Sequence, residues 1–341
     1  MSDDLYGLSR VVDEPGALPQ RARRLDPSLP LRESELLIEV ESLNVDAASF
    51  KQIKDAAGGA PEQILETIRG IVRERGKLQN PVTGSGGMLI GRVKEIGLRH
   101  PARGQLQLGD RIATLVSLTL TPLQIDSVKA LHASIDRVDI TGHAILFASG
   151  LYAQLPPDFS EALALAALDV CGAPALVARH VRPGMTVAVL GAGKSGALCL
   201  AQARKAGARQ LIALDISAPA LKLLSDIGLC DQALTVDATL AVGVLGQVSR
   251  ATGGKLCDLV VNCASVPGTE MASILSVKDG GTVIFFSMAT SFSAAALGAE
   301  GVGKDVSMLI GNGYVPGHAA LTLELLRAEP RLRALFEQRY V

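Results

Sequence analysis

The pattern of hydrophobic and polar positions divides this sequence into two parts. In residues 31–140, short apolar segments partly alternate with polar residues and are separated by glycine, proline or aspartate. This pattern is typical of strands in a sheet with one exposed face. The predicted strands are 36–43, 88–97 and 110–120.

One segment of this first part has helical rather than strand periodicity. Its apolar positions within residues 61–77 recur at helical spacing, with charged residues opposite, and they are Ile64, Leu65, Ile68, Ile71 and Val72. Such spacing predicts an amphipathic helix that packs on the surface of the sheet. We interpret it as scaffold rather than as a partner-binding element.

From about residue 155, apolar helices alternate with short, continuously apolar strands, which is typical of a parallel sheet. An apolar helix is predicted over 160–168, and Asp169 ends it. Two later strands are predicted at 257–265 and 280–289. The tail 322–341 is predicted to be helical, with a break near Pro330.

A glycine-rich turn lies between a predicted strand at 186–190 and a predicted helix at 195–206. Gly191, Gly193 and Gly196 have the spacing G-x-G-x-x-G. The first glycine permits a tight turn, the second lets a pyrophosphate approach the backbone, and the third lets the helix pack closely on the strand. The amide groups at the start of the helix then face the phosphates. We therefore predict a dinucleotide site here.

An acidic residue follows the next predicted strand, 211–214. Asp215 lies about 20 residues after the last glycine, where a carboxylate accepts hydrogen bonds from the ribose hydroxyls. A carboxylate also repels a 2′-phosphate, and Ile216 and Ser217 offer no cation to hold one. These residues predict NAD rather than NADP as the cofactor.

The carboxyl ends of parallel strands supply further candidate cofactor contacts, because ligands of open α/β sheets bind at that edge. Beyond the three glycines and Asp215, the candidates are Lys194, Ser195, Ser265, Ser287 and Met288.

Length and composition describe a globular protein of two domains. The chain has 341 residues, of which 48% are hydrophobic and 20% are charged. Mean hydropathy is +0.31, yet no apolar run reaches the roughly 20 residues that a membrane span needs. The first ten residues lack the basic region and apolar core of a secretory signal. We expect a cytoplasmic protein with no membrane association.

Charge and cysteine usage exclude further classes. The formal net charge is −1 and there is no basic block, which argues against nucleic acid as a partner. The five cysteines are scattered through apolar sequence without C-x-x-C spacing, as in a reducing compartment. None of the five histidines has a short metal-ligand spacing to a cysteine or to another histidine. We therefore predict no metal site.

Two phrases, LQLGDRIATL (106–115) and HVRPGMTVAVLGAGKSG (180–196), resemble recurring strand-turn phrases of the medium-chain dehydrogenase/reductase superfamily. The resemblance covers nearly the whole chain. It implies an α/β fold class with a GroES-like, β-rich catalytic domain made of residues 1–154 and 300–341. Residues 155–299 are then a Rossmann domain with a doubly wound parallel sheet, and substrate binds in the cleft between the domains.

The zinc enzymes of that superfamily have a cysteine after their first long strand and a Gly-His-Glu before their central Gly-x-Val strand. Here Asp46 replaces the cysteine, while Gly87 and Met88 replace the histidine and the glutamate. A four-cysteine structural lobe is also absent from the sequence. Without these ligands a tetrahedral zinc loses most of its coordination. We expect a zinc-free protein.

Three further phrases are more specific, namely YGLSRVVDEPGALPQ (6–20), SLNVDAASFKQI (42–53) and QNPVTGSGGMLIG (79–91). They are similar to the family of L-erythro-3,5-diaminohexanoate dehydrogenases. The resemblance implies NAD-dependent oxidative deamination of that diamino acid to 5-amino-3-oxohexanoate, with release of ammonium, in lysine degradation.

A substrate with two ammonium groups needs acidic residues, and a base must deprotonate the reacting ammonium before hydride can leave. Asp46 is the first candidate for this base and Asp169 is the second. Asp46 is equally suited to capping a helix that starts at Ala47, and Asp169 to ending helix 160–168. Lys51 is a candidate to pair with the substrate carboxylate or to relay protons, or else it is a solvated surface charge.

The run from Gly84 to Met88 is a candidate substrate contact. Ser85, Gly86 and Gly87 leave room for substrate and offer backbone amides to a carboxylate, although a flexible turn has the same composition.

Two other functions remain open. A zinc-free quinone or enone reductase of the same superfamily also transfers hydride, but such enzymes usually prefer NADPH, which Asp215 disfavours. A non-enzymatic, nucleotide-sensing protein is the second alternative. An open parallel sheet leaves an edge that can pair across a two-fold axis, so we expect a homodimer or homotetramer.

Overall fold

The computed structural model describes residues 4–311 and 313–341. Contacts within the chain define two compact units, which meet in sequence between Pro157 and Asp158. The helices and strands are numbered below in chain order.

The first unit is built on an antiparallel sheet with two helices. Its elements are β1 (Glu35–Val45), α1 (Ala47–Ala56), α2 (Pro61–Arg75), β2 (Gly87–Ile96), β3 (Arg111–Thr114), β4 (Leu123–His132), β5 (Arg137–Phe147) and β6 (Tyr152–Gln154). The strand order is β4-β5-β1-β2-β3-β6. The central strand β1 pairs with β2 on one side and with β5 on the other, and it provides much of the buried core.

The predicted strands 36–43 and 88–97 are confirmed as β1 and β2. The predicted strand 110–120 is shorter than expected, because β3 ends at Thr114 and a 3-10 turn follows at Leu118–Leu120. The hydroxyl of Ser117 accepts a hydrogen bond from the Thr119 amide and so starts that turn instead of extending the strand. The predicted helix is confirmed as α2, which buries Ile64, Ile68 and Val72.

The second unit is built on a parallel sheet covered by helices. Its elements are α3 (Glu161–Leu168), α4 (Gly172–His180), β7 (Thr186–Leu190), α5 (Lys194–Lys205), β8 (Gln210–Asp215), α6 (Ala218–Asp226), β9 (Gln232–Thr235), α7 (Ala241–Ala251), β10 (Cys257–Asn262), α8 (Glu270–Ser276), β11 (Val277–Phe285), α9 (Phe292–Gly301), β12 (Val306–Ile310), α10 (His318–Ala328) and α11 (Pro330–Tyr340).

The strand order of this sheet is β9-β8-β7-β10-β11-β12, and all neighbouring strands are parallel. This is the doubly wound order of a Rossmann fold, in which the chain reverses its direction of travel between β7 and β10. Every residue of β7 is buried, as expected for a central strand covered on both faces. The ligand crevice of such a sheet lies at the carboxyl ends of β7 and β10.

The C-terminal segment packs within the second unit. Strand β12 pairs with β11, while α10 packs against α3 and α4, and α11 packs against α3. The predicted grouping of residues 300–341 with 1–154 differs from this arrangement. Strand β12 has five residues. A hydrophobic pattern this short does not show that the strand completes the parallel sheet. The predicted break is confirmed, since α10 ends at Ala328 and Pro330 starts α11.

Within the described ranges, no single helix is long and apolar enough to cross a membrane. Only α3 and α4 together reach that length and composition, across a bend of 49°. Both helices are largely buried inside the second unit.

Candidate cofactor site and active site

The three glycines of the turn have different steric surroundings. Gly191 has φ +102°, and a Cβ there would lie 3.0 Å from the carbonyl carbon of Cys263. A Cβ on Gly196 would overlap the carbonyl oxygen of Gly191, so only glycine lets α5 start this close to β7. Gly193 is different, because a Cβ there would meet nothing within 4 Å. The turn therefore leaves open space at the glycine that a pyrophosphate would approach.

Helix α5 begins directly after this turn. Gly193 is its N-cap residue and makes no side-chain capping hydrogen bond to the first amides. Lys194 and Ser195 are the first two residues of the helix. The Lys194 ammonium lies 2.6 Å from a carboxylate oxygen of Asp169. Uncapped amides and a lysine at a helix N-terminus form a suitable anion site.

Asp215 ends β8, and both of its carboxylate oxygens accept backbone hydrogen bonds. Oδ2 accepts from the Ala192 amide at 2.7 Å, and Oδ1 accepts from the Ser217 amide at 2.7 Å. Each oxygen can accept a second hydrogen bond, which leaves capacity for ribose hydroxyls. The acid thus holds the glycine turn and keeps acceptors available.

Ser265, Ser287 and Met288 lie on the loops that follow β10 and β11, at the carboxyl edge of the sheet. Ser265 is exposed, and the Ser287 hydroxyl accepts a hydrogen bond of 3.1 Å from the Ala289 amide. Met288 is 87% exposed. The fold brings these residues to the predicted edge, and their contact with a cofactor stays a prediction.

Two residues that support this site were not predicted from the sequence. Asn262 is buried at the end of β10, where its amide nitrogen donates to Thr269 and Ser273 and its oxygen accepts from the Ala264 amide. A polar residue that ends an apolar strand is a signal that could have found it. Arg339 of α11 donates to the carbonyl oxygen of Ala192 at 3.0 Å, and no local pattern marks it.

In the first unit, Asp46 is the N-cap residue of α1. Its Oδ1 accepts a hydrogen bond of 3.0 Å from the Ala48 amide. Its Oδ2 is buried and has no hydrogen-bond partner among the described residues. The capping interpretation is therefore confirmed, but capping engages only one oxygen. The second oxygen is a hydrogen-bond acceptor removed from water. Burying such an acceptor costs free energy unless a ligand or a proton binds to it.

The glycines before β2 are sterically required. Gly87 has φ +114°, and a Cβ there would overlap the carbonyl oxygen of Asn44 on β1. A Cβ on Gly86 would overlap the carbonyl oxygen of Leu78. The Gly86 carbonyl accepts from the Asp46 amide at 3.3 Å, so this run is joined to the start of α1. Close backbone packing at both glycines disfavours a loose turn.

The neighbouring residues of this run differ in their environments. Met88 pairs with Asn44 and is half-buried. Ser85 is half-buried as well, and its carbonyl accepts from the Asn80 amide at 2.8 Å. The buried Asn80 side chain in turn donates to Gln52 of α1 at 2.8 Å. Asn80, which was not predicted as a site residue, holds this loop against the helix that Asp46 caps.

A second carboxylate lies near Asp46. Asp136 is in the turn between β4 and β5 with φ +53°, and its carbonyl accepts from the Val45 amide at 2.9 Å. Burial raises the pKa of the Asp136 carboxyl, the Lys54 ammonium partly offsets this, and the Asp46 carboxylate adds to the rise. Strand pairing brings this acid to Asp46, so sequence spacing did not reveal it.

The two remaining candidates are paired with other side chains. Lys51 is 76% exposed, and its ammonium lies 2.5 Å from Asp55 one helical turn away. This placement agrees with the solvated-charge interpretation. Asp169 caps the C-terminus of α3 and is paired with Lys194, as described above.

All five cysteines are free thiols, and four of them are buried. Burial raises the pKa of both Cys171 and Cys257 to about 12. Over the described part of the chain, no group of three or more His, Cys, Asp or Glu side chains is arranged to hold a metal ion.

A parallel sheet in Rossmann order with a glycine turn, together with an antiparallel β unit, is the fold found in medium-chain dehydrogenases/reductases. Solved structures agree with this fold. The alcohol dehydrogenase of Thermotoga maritima is 18% identical with a TM-score of 0.56, and the match covers 90% of this chain and 85% of that chain. A quinone oxidoreductase of Pseudomonas syringae is 17% identical with a TM-score of 0.55, over 89% and 83% of the two chains. The predicted fold class is confirmed.

Sequence relatives define the family more narrowly. The family model of the L-erythro-3,5-diaminohexanoate dehydrogenase N-terminal domain matches residues 9–156. The L-erythro-3,5-diaminohexanoate dehydrogenases of Acetoanaerobium sticklandii and Fusobacterium nucleatum are 51% and 50% identical, each over 98% of both chains. The chain belongs to the L-erythro-3,5-diaminohexanoate dehydrogenase family, so the predicted family is confirmed.

Proposed function

We propose that this chain is an NAD-dependent dehydrogenase that oxidatively deaminates L-erythro-3,5-diaminohexanoate to 5-amino-3-oxohexanoate and ammonium, in lysine degradation. Family membership supports the substrate. The observation on this chain that carries the chemistry is the buried Oδ2 of Asp46, which has no hydrogen-bond partner among the described residues. The sequence resemblance places Asp46 where zinc enzymes of the superfamily have a cysteine ligand.

The residues of the second unit fit NAD. Open space at Gly193 and uncapped amides at the start of α5 suit the pyrophosphate, with Lys194 and Ser195 beside it. Asp215 keeps acceptor capacity for the ribose hydroxyls and would repel a 2′-phosphate, while the adjacent Ile216 is apolar and 72% exposed. When bound, NAD accepts the hydride that leaves carbon 3 of the substrate.

In this proposal Asp46 is the catalytic base. Its carboxylate takes a proton from the 3-ammonium group, which frees the nitrogen lone pair and lets the hydride leave as the iminium forms. Asp46 passes that proton to solvent and, as a carboxylate again, takes a proton from the water molecule that attacks the iminium carbon, a proton that it later returns to the leaving nitrogen. Collapse of the resulting carbinolamine forms the ketone and releases the nitrogen as ammonium. The same carboxylate acts in both halves, and no Lewis acid is needed.

Charge matching supports a role for the neighbours of Asp46. The substrate carries two ammonium groups, and Asp136 adds a second carboxylate near Asp46. Backbone amides of the run Ser85–Met88 remain the candidates for the substrate carboxylate. Asp169 is the weaker candidate base, because its carboxylate is already paired with the Lys194 ammonium at 2.6 Å.

The test uses Asp46→Asn and Asp46→Ala, with the exposed Asp55→Asn on the same helix as the control. Asparagine caps a helix as well as aspartate does, so Asp46→Asn keeps α1 and NADH binding but lowers amine oxidation by about 10²- to 10⁴-fold. NADH formation and ammonium release are measured with the diamino acid, an enone and a simple alcohol, before and after treatment with a chelator.

Turnover of Asp46→Asn near the parent rate would remove Asp46 from the mechanism. Loss on chelation would refute zinc independence, and no turnover of the diamino acid would refute the function.

We also propose a homodimer or homotetramer in the cytoplasm. Strand β12 is at the edge of the parallel sheet, and Ile310 on it is exposed. Met288 and Phe292, on the segment between β11 and β12, are exposed apolar side chains as well. Such an edge can pair with a second copy. Five unpaired cysteines support a reducing compartment. Light scattering of the protein and of Ile310→Lys tests the assembly, and an unchanged mass for the variant argues against this edge.

A further inference from the structure

The first unit contains a groove of about 360 Å³ that has no role in the proposed reaction. Its walls are the C-terminal half of α2, residues 24–27 and the first residues of β4. The floor is apolar, with Leu25, Val72 and Leu123, and three arginines line the walls.

Backbone hydrogen bonds hold the walls together. Gly76 ends α2 with φ +62°, and a Cβ there would overlap the carbonyl oxygen of Leu25. The Leu25 amide donates to the Arg75 carbonyl at 2.9 Å, and the Leu123 amide donates to the Gly76 carbonyl at 2.8 Å. The groove is therefore preformed and does not depend on side-chain rearrangement.

The groove carries more positive than negative charge. Arg24, Arg69 and Arg73 line it, and Glu74 is the single carboxylate among the lining residues. Glu74 is already held by Arg23 at 2.7 Å. This leaves the groove with guanidinium groups in excess.

The ion pairs that these arginines form are long. Arg69 and Arg73 share one carboxylate, Glu66, at 3.7 and 3.4 Å, and Arg24 lies 3.5 Å from Asp13. All three guanidiniums are about half exposed or more, so these ion pairs are weak. A better-placed anion can compete for them, because guanidinium binds carboxylate or phosphate through two parallel hydrogen bonds.

We propose that this groove binds a small organic anion. Arg69 and Arg73, one turn apart on α2, hold its acidic group, and Val72, Leu25 and Ile125 contact its apolar body. The volume falls within the range of small-molecule sites, about 300–1,000 Å³. The lining exposes polar and apolar surface in similar amounts, which suits a ligand with one charged group and an apolar body. The inference is independent of the proposed reaction.

The experiment measures binding to the full-length protein, saturated with NAD, by isothermal titration calorimetry. Phenyl phosphate and phenylacetate distinguish a phosphate from a carboxylate ligand, and neutral benzyl alcohol tests the apolar contribution alone. At least one anion should saturate a single site, and the alcohol should bind much more weakly. Arg69→Gln/Arg73→Gln should weaken anion binding about tenfold or more. Arg99→Gln, an equally exposed arginine of the same unit that pairs with Glu33, should leave binding unchanged.

A second variant keeps the charges and fills the space. Ile125→Phe should weaken phenyl phosphate and phenylacetate alike without changing the thermal unfolding of the protein. The proposal is overturned if no anion saturates by about 10 mM, or if the double arginine variant binds as the parent does. A change in molecular mass in the double variant, without loss of anion binding, would make the groove an interface between copies and would also overturn it.

Discussion

The carboxylate of Asp215 accepts a hydrogen bond of 2.7 Å from the backbone amide of Ala192, so the acid at the end of β8 holds the middle of the glycine turn. Arg339 binds the carbonyl of the same residue from the other side. The glycine turn is thus held through both backbone polar groups of a single residue, Ala192. The acid that is predicted to select the cofactor also holds the turn that is predicted to bind it.

Asp215→Asn is expected to shift cofactor preference. The amide oxygen can still accept one backbone hydrogen bond, so the turn is retained, but the charge that repels a 2′-phosphate is lost. We expect KM for NAD to rise about tenfold, KM for NADP to fall, and kcat with saturating NAD to change little. Steady-state kinetics with both cofactors provide the measurement. Asp237→Asn, an exposed acid of the same unit, is the control, and an unchanged NAD/NADP ratio in Asp215→Asn would contradict the assignment.

Gly193→Ala and Gly196→Ala are a matched pair. Alanine at 193 meets nothing within 4 Å, so unfolding free energy should stay within about 0.5 kcal/mol of the parent, while the dissociation constant of NADH rises about tenfold or more. Alanine at 196 overlaps the Gly191 carbonyl and should destabilise the protein by about 1–3 kcal/mol. Urea unfolding and NADH fluorescence titration separate the two effects. Equal loss of stability in both variants would show that Gly193 is needed for the fold.

Native thiol reactivity should be confined to Cys263. It is half-buried beside Gly191, whereas the other four cysteines are buried and burial raises the pKa of each of them. A chromogenic disulfide reagent should label one thiol rapidly in the native protein and all five in denaturant. NADH should protect that thiol, and Cys263→Ser should remove the rapid phase. Rapid labelling of Cys263→Ser would show that another thiol is accessible.

Lys77 is expected to make stability depend on pH. Its side chain is fully buried, and its ammonium donates to the carbonyls of Pro19 and Gln20. Burial lowers the pKa of this lysine from 10.5 to about 8, with Arg75 lowering it further and Glu14 opposing. Between these two pKa values the unfolded chain binds more protons, so stability from this group rises with pH and is lost as pH falls through about 8.

Thermal unfolding of the parent and of Lys77→Met from pH 7 to about 10.5 measures this dependence. The difference in melting temperature should change in favour of the parent across that window and stay constant below it. Lys255→Met, at an exposed position, controls for the general effect of losing a lysine. A difference that does not vary with pH would show that the buried ammonium titrates no differently in the two states.

Local sequence patterns predicted a structural feature where the physical constraint on that feature acts between residues close together in the sequence. The glycine turn, α5 and Asp215 lie within one strand-helix-strand unit, and the steric and electrostatic demands of a dinucleotide act inside it. The boundaries of β1, β2 and α2 followed for the same reason, because side-chain periodicity reports which face is buried. The phrases around Asp46 also indicate the family, because they are contiguous in the sequence.

The sequence by itself therefore determined the cofactor motif, the fold class and the position of Asp46. The tertiary structure decided which groups surround them. Asp136 reaches Asp46 through the pairing of β5 with β1, Arg339 reaches the glycine turn from the last helix, and β12 joins the parallel sheet. Each of these depends on strand register or helix docking between distant segments. Such contacts come from the packing of whole elements, which no local spacing of residue types encodes.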